Sequence, residues 1–200
     1  MEETYFSLVH LFAGVDGSQQ VTPDDGTAQH SARVGQGSAV VAAHLGIAAH
    51  EVETVAWAGT LHDIGKLRIP YEVLAKPGPL TVEEWTMVKQ HPVFGADMLL
   101  AVSPELEPIA CGIRTHHEHW DGSGYPFGLR GDEIPVAGRI VAVLDVFDSL
   151  MCPRPYRFRV WSEQAVVDHI AAIAGTHLDP DVVAVFLELH EQGVAARRAG

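Results

Sequence analysis

Cysteine is nearly absent from this 200-residue chain: Cys111 and Cys152 are its two thiols, and they form no CxxC pair. A thiolate zinc site needs more than this, so both are expected to be reduced and partly buried. No run approaches the ~18 consecutive apolar residues of a membrane span. The N-terminal MEETYFSLVHLFAG opens on two acids and lacks the basic start of a secretory signal, so the expected location is cytoplasmic. Positive charge is scarce, with 13 Lys and Arg against 26 Asp and Glu and a net charge of −13. Binding to long nucleic acid depends on many basic contacts to phosphate, and this balance excludes it. A phosphate-bearing ligand would have to be met locally, by metal ions or by a few Lys and Arg. There is no internal repeat, no linker dividing two halves and no succession of alternating strands, which leaves one domain over residues 1–200 with its core at about 28–190.

An apolar fraction of 47% with 20% charged residues is that of a folded globular protein. Helical patterns recur along it. A short amphipathic segment, Glu2 to Phe12, precedes a turn-rich loop, DGSQQVTPDDGTA. From His30 to about Leu45, Val34, Ser38, Val41 and Leu45 recur at helical spacing. Ala48 to His62 is the next helix, closed by Gly65 and Pro70. Thr81 with Glu84 three residues on signals a capped helix start, and the helix is expected to reach Gln90. Pro92 puts His91 at a junction, with helix following over 93–102. Pro104 to His117 forms another helix, and DGSGYPFGLRGDEIP is too rich in Gly and Pro for anything but loop. Ala137 to Met151 is apolar almost all round and reads as a buried helix. Helices over Ser162–Ala174 and Pro180–Arg197 follow, with Ser162 and Asp179 as N-caps. RPYRFRV is the best strand candidate. The expected fold class is therefore all-α, a compact helical bundle.

Twelve histidines are many for this length. In LHDIGK, His62 and Asp63 are helix neighbours pointing about 100° apart, so they could embrace a metal pair from two directions. Lys66 follows His62 by four residues and could hold a phosphate oxygen on the same face. Taken alone, an HD dipeptide is more often a surface or capping feature. His116 and His117 end a helix in tandem and lead into the Gly-rich loop. One histidine there would simply favour the helix dipole; two demand more. His119 reads as a solvated loop residue. Asp145 lies within the apolar RIVAVLDVFDSL, where an ionised carboxylate is costly unless paired or bound to metal. The bland alternative is an ion pair with an arginine such as Arg139. Asp148, three residues on, shares its face. His30 and His91 gain weight only as members of this set, and the remaining histidines read as surface or packing residues.

HDIGK, then HP…G, HHE..DGSGYP, D..D and RPYR, in this order, resemble the HD-GYP domain, a branch of the HD superfamily of metal-dependent phosphohydrolases. The resemblance covers roughly His30 to Leu189. It implies an all-α bundle around a metal cluster, with His30, His62, Asp63, His91, His116, His117 and Asp145 as ligands and Asp63 bridging. Some members carry a Glu one turn before the first His; Gly26 stands there, so two divalent ions, iron or manganese, are expected rather than three. Ser149 replaces a usual Ala, a change read as harmless. The implied substrate is cyclic di-GMP, opened to pGpG and on to GMP by in-line attack of a hydroxide held between the metals. Asp63 and Lys66 would be catalytic. Lys66, Asp148, Arg154 and Arg157 would contact substrate. The loop of Asp121, Gly122, Gly124, Tyr125 and Pro126 would shape the cleft and meet a GGDEF-type diguanylate cyclase or a sensor protein. No sensor or receiver domain is seen, so unregulated activity or control by a separate protein is the expectation. Two other readings stay open: an HD phosphohydrolase for another cyclic dinucleotide or a nucleotide, and a non-catalytic regulator that binds cyclic di-GMP or a partner.

Overall fold

A computed structural model describes residues 25–151 and 161–199, and side chains over 28–151 and 161–193. Nine α-helices occur among the described residues: α1 (Asp25–His44), α2 (Ala49–Leu61), α3 (Tyr71–Leu74), α4 (Val82–Val88), α5 (His91–Val102), α6 (Glu107–Thr115), α7 (Val136–Met151), α8 (Glu163–Ala172) and α9 (Pro180–Ala199). Tight 3₁₀ turns cover Ile64–Arg68, Pro104–Leu106 and Gly131–Glu133. The described residues form no strand, only an isolated bridge between Ala174 and Leu178, so the all-α class is observed. The segments expected as a helix over Glu2–Phe12 and as a strand in RPYRFRV lie outside the described residues, as does Cys152; Cys111 is a free, half-buried thiol.

The core is built where helices α1, α2, α6 and α7 converge. Val34 and Val41 of α1, Val55 and Ala58 of α2, Ile109 and Ile113 of α6, and Ile140, Val141 and Val143 of α7 are all buried. α5 packs on α6 and on the 64–68 turn, while α8 and α9 close the far side against α7. α1 and α2 touch at their backbones. A Cβ on Gly35 would stand 2.1 Å from the Thr60 hydroxyl and 2.8 Å from the Ala56 carbonyl, so only glycine permits this crossing. The contact matters because it sets His30 and His62, near the ends of these two helices, side by side.

Local signals place the ends. Thr81 Oγ1 accepts from the Glu84 amide at 3.2 Å, and Glu84 Oε2 accepts from the Thr81 amide at 2.7 Å, a complete capping box. Ser162 caps α8 by accepting from the Ala165 amide, and Asp179 Oδ1 accepts from the Asp181 amide ahead of α9. Two boundaries differ from expectation. α1 begins at Asp25, inside the stretch read as loop. α5 begins at His91 itself, since Pro92 occupies a first-turn position where its missing N–H costs nothing.

Candidate metal centre

The ends of three helices deliver histidines to one buried locus. His62 follows α2, His91 opens α5, and His116 and His117 follow α6. His30, from the second turn of α1, meets them, and Asp145 enters from α7. His30, His62, His91 and His116 are each at most 3% exposed. His30 and His62 pack edge-on with ring centroids 5.2 Å apart, His62 and His116 at 5.1 Å, and His91 and His117 at 5.0 Å.

Their tautomers are fixed from behind. His62 Nδ1 bonds to the Gly59 carbonyl at 2.7 Å, His91 Nδ1 to the Val88 carbonyl at 2.8 Å, and His116 Nδ1 to the Ile113 carbonyl at 2.6 Å. A carbonyl oxygen only accepts, so each Nδ1 carries the proton and each Nε2 presents a lone pair inward. His30 is held instead by Asp148, whose Oδ2 lies 2.7 Å from His30 Nδ1. The Arg33 guanidinium donates to both oxygens of Asp148.

The result is a cluster in which His62, His91 and His116 turn acceptor nitrogens inward. His30 Nε2 and His62 Nε2 are buried and have no hydrogen-bond partner. His30 Nε2 lies 3.2 Å from Asp145 Oδ1, and His62 Nε2 lies 3.5 Å from Asp63 Oδ2. A buried polar atom without a partner costs roughly 1–3 kcal/mol, and lone pairs facing carboxylates call for a cation. The ligand atoms form two groups, His91–His116–His117 and His30–His62–Asp63, each within 4.8 Å and able to hold a metal ion. Asp63 spans them: Oδ2 faces His62 while Oδ1 is 3.4 Å from His91 Nε2. The donor set suits divalent ions that accept imidazole with carboxylate.

Electrostatics agree. Burial alone would raise the Asp63 carboxyl, but Lys66 and the surrounding histidines hold it well below the usual range. Asp145 is likewise kept ionised against its burial, chiefly by His30. Burial drives His117 down to about 3 and His116 well below its ordinary value, so both stay neutral and free to ligate. His30 is the exception. The Asp145 and Asp148 carboxylates outweigh burial and raise it to about 9, so it must give up a proton to ligate.

Lys66 reaches this centre by a different route from the one expected. The helix tightens to 3₁₀ after Asp63, and Lys66 Nζ lies 2.6 Å from Asp63 Oδ2 instead of on the face of His62. Gly65 makes the turn possible: a Cβ there would sit 1.9 Å from the His91 carbonyl oxygen. The ion pair weighed for Asp145 is not formed, because Arg139 goes to Asp179 at 2.8 Å and Asp132 at 3.1 Å. Asp148, expected at the substrate, has both oxygens on protein donors and stands behind His30. Ser149, read as harmless, donates to Asp145 Oδ1 at 3.1 Å. Gly26 lies one turn before His30 within α1 and offers no carboxylate. Arg154 and Arg157 lie outside the described residues.

The loop after the histidine pair folds over the centre. Tyr125 stacks on His117 with centroids 4.8 Å apart and planes 27° apart, and its amide donates to the His117 carbonyl. The Tyr125–Pro126 peptide is cis. Glu118, which the sequence reading passed over, is 3% exposed and accepts from the Phe127 amide at 2.7 Å and the Leu129 amide at 3.0 Å. Its signal was an acid directly after the histidine pair. His119 lies in the loop as read but is half-buried, with its ring 4.3 Å from His177. Trp120 and Asp121 donate to the His177 and Thr176 carbonyls, tying the start of this loop to the turn before α9, while the Gly122 amide donates back to the His119 carbonyl.

A helical bundle with clustered His and Asp side chains able to hold divalent metal is the class that this fold and site define. A family model described as "HD domain" matches residues 24–182. The chain belongs to the HD domain family, of the HD-GYP type that its motifs resemble. It is 43% identical over 167 residues to a cyclic di-GMP phosphodiesterase of Thermotoga maritima, covering 83% of this chain and 45% of that protein. It is 41% identical over 157 residues to 3'3'-cGAMP-specific phosphodiesterase 2 of Vibrio cholerae, covering 78% and 30%. It thus spans less than half the length of these curated relatives. The fold is similar to that of an HDG"Y"P protein from Bdellovibrio bacteriovorus, with a TM-score of 0.65 at 19% identity over 82% of this chain and 52% of that one.

Proposed function

We propose that the chain is a metal-dependent phosphodiesterase that hydrolyses cyclic di-GMP to pGpG and on to GMP. The observation that carries this reading is Asp63, whose two oxygens face the two ligand groups while Lys66 sits on one of them. His30, His62, Asp63, His91, His116, His117 and Asp145 would hold two divalent ions, iron or manganese. Such ions supply charge neutralisation at a phosphodiester and lower the pKa of water.

The chain's own residues do the rest. The backbone carbonyls behind His62, His91 and His116 keep their Nε2 atoms aimed inward. Lys66, about a third exposed, offers its ammonium to a phosphate oxygen, where charge develops during attack. Asp148 acts through His30 rather than on substrate. Arg154 and Arg157 are proposed as substrate contacts, and the 121–126 loop as the contact for a GGDEF-type cyclase, on their motifs alone.

The similarity to a relative named for 3'3'-cGAMP favours a second reading in which a hybrid cyclic dinucleotide is the substrate. The test is to measure bound metal by mass spectrometry and then incubate the protein with cyclic di-GMP or 3'3'-cGAMP, with Mn²⁺ or anaerobic Fe²⁺. About two metals per chain and release of pGpG or GMP, abolished in Asp63→Ala, is the expected result. Tight binding without product from either nucleotide would replace catalysis with a binding role.

A further inference from the structure

Lys89 belongs neither to the ligand set nor to any motif singled out above. It caps α4 with its amide on the Trp85 carbonyl, two residues before His91. Its stem runs back along that turn, so that Nζ lies 5.6 Å from the centroid of Trp85 and 5.4 Å from that of Tyr125. Tyr125 in turn stacks on His117. One aromatic ring therefore separates this ammonium from the candidate metal centre.

Like Arg68 and Arg130, Lys89 forms no pair with an acid among the described residues, but of these three it is the one whose cation lies over Tyr125, the ring stacked on His117. Arg33, Lys66, Lys76, Arg114 and Arg139 all pair with acids, and acids outnumber bases two to one in the chain. Among the described residues Lys89 forms no ion pair and is held by ring faces instead. Cation–π contacts fix an ammonium without neutralising it, so its charge and N–H donors remain available to an anion. Trp85, 46% exposed, leaves an indole face beside it on which a purine could stack.

Resting on the function proposed above, the geometry points to Lys89 as the contact for the second phosphate of the cyclic dinucleotide, the one that is not being hydrolysed. A cyclic dinucleotide carries two phosphodiesters. With one at the metal centre beside Lys66, the other must lie outside it and needs a cation of its own. Lys89 and the Trp85 face form that outer subsite.

The experiment compares metal-loaded full-length wild type, Lys89→Met and Lys89→Arg on cyclic di-GMP and on bis(p-nitrophenyl) phosphate, a diester with one phosphate and no base. Methionine keeps an unbranched apolar stem; arginine keeps the charge and stacks on aromatic faces. The ratio of kcat/KM on the dinucleotide to that on the model diester is expected to fall about tenfold in Lys89→Met, as for loss of one charge-assisted hydrogen bond. The fall should lie in KM, and Lys89→Arg should recover most of it. Equal losses on both substrates would make Lys89 a packing residue and overturn the assignment. Wild type that cleaves cyclic di-GMP, with Lys89→Met keeping the same ratio, overturns the Lys89 assignment alone. Wild type that cleaves the model diester but neither binds nor cleaves a cyclic dinucleotide overturns both it and the proposed function.

Discussion

His91 and His116 face one another with their Nε2 atoms 3.4 Å apart, each carrying its proton on the opposite nitrogen against a backbone carbonyl. Two lone pairs at that distance repel, and a cation between them turns the repulsion into attraction. Stripping metal with a chelator should therefore lower the melting temperature. Binding at a thousandfold above Kd stabilises by about 4 kcal/mol, which for a domain of this size is on the order of 10 °C. Calorimetry before and after chelation, and again after Mn²⁺ is restored, measures this. An unchanged melting temperature would count against a metal in the cluster.

Asp148 should matter to metal affinity more than to substrate affinity. Asp148→Asn weakens the acceptor that sets the His30 ring, and loss of such a partner typically costs 10- to 100-fold in metal affinity. Competition against a chromophoric chelator reads this directly, with circular dichroism checking that the helices persist. A variant that keeps wild-type metal affinity but shows a raised KM would return Asp148 to the substrate.

Gly65→Ala should be among the most damaging small changes. The new Cβ would meet backbone of His91 and Gly95 at 1.9 and 2.5 Å, and backbone cannot rotate away. Overpacking costs about 1–3 kcal/mol, and here it also forces Asp63 and His91 apart. Urea unfolding should show the lost stability and metal analysis a lowered content.

Glu118→Ala leaves the Phe127 and Leu129 amides without their acceptor. Loss of these two hydrogen bonds to a charged acceptor should loosen the loop over the centre. Hydrogen exchange at those two amides should speed up while exchange in the α7 core stays at wild-type rates.

The contact between His119 and His177 carries a pH dependence. Burial, and then the charge of His177, lowers His119 below its ordinary value near 6.5. The unfolded chain therefore takes up this proton at a higher pH than the folded chain. Stability from a neutral His119 is present above the unfolded value and is lost as pH falls towards the folded one. The melting temperature of wild type relative to His119→Asn should accordingly be higher at pH 8 than at pH 5.5. A difference constant across that range would remove His119 as the cause.

Helix ends were legible wherever a local signal decides them, as at Thr81 with Glu84 or at Ser162. The ligand candidates were legible because histidine and aspartate stood at helix ends or inside an apolar run. What could not be read were relations between distant segments. Nothing local shows that Asp148 turns to His30 and Arg33, that Arg139 goes to Asp179, or that His119 lies against His177. The 3₁₀ tightening that moves Lys66 onto Asp63 follows from the approach of the His91 backbone to Gly65, a packing event with no local signature. Glu118 was overlooked because its partners are amides of a loop whose path depends on the whole fold.

The bonds that orient His62, His91 and His116 run to carbonyls three residues earlier in the sequence, so each of these rings is aligned by its own local segment. His30 alone is set by a side chain from elsewhere, Asp148 on α7. Orientation is therefore divided by origin: three rings are set locally, and His30 depends on α1 and α7 staying in register. A displacement of α1 against α7 would misalign His30 while leaving the local bonds of His62, His91 and His116 intact.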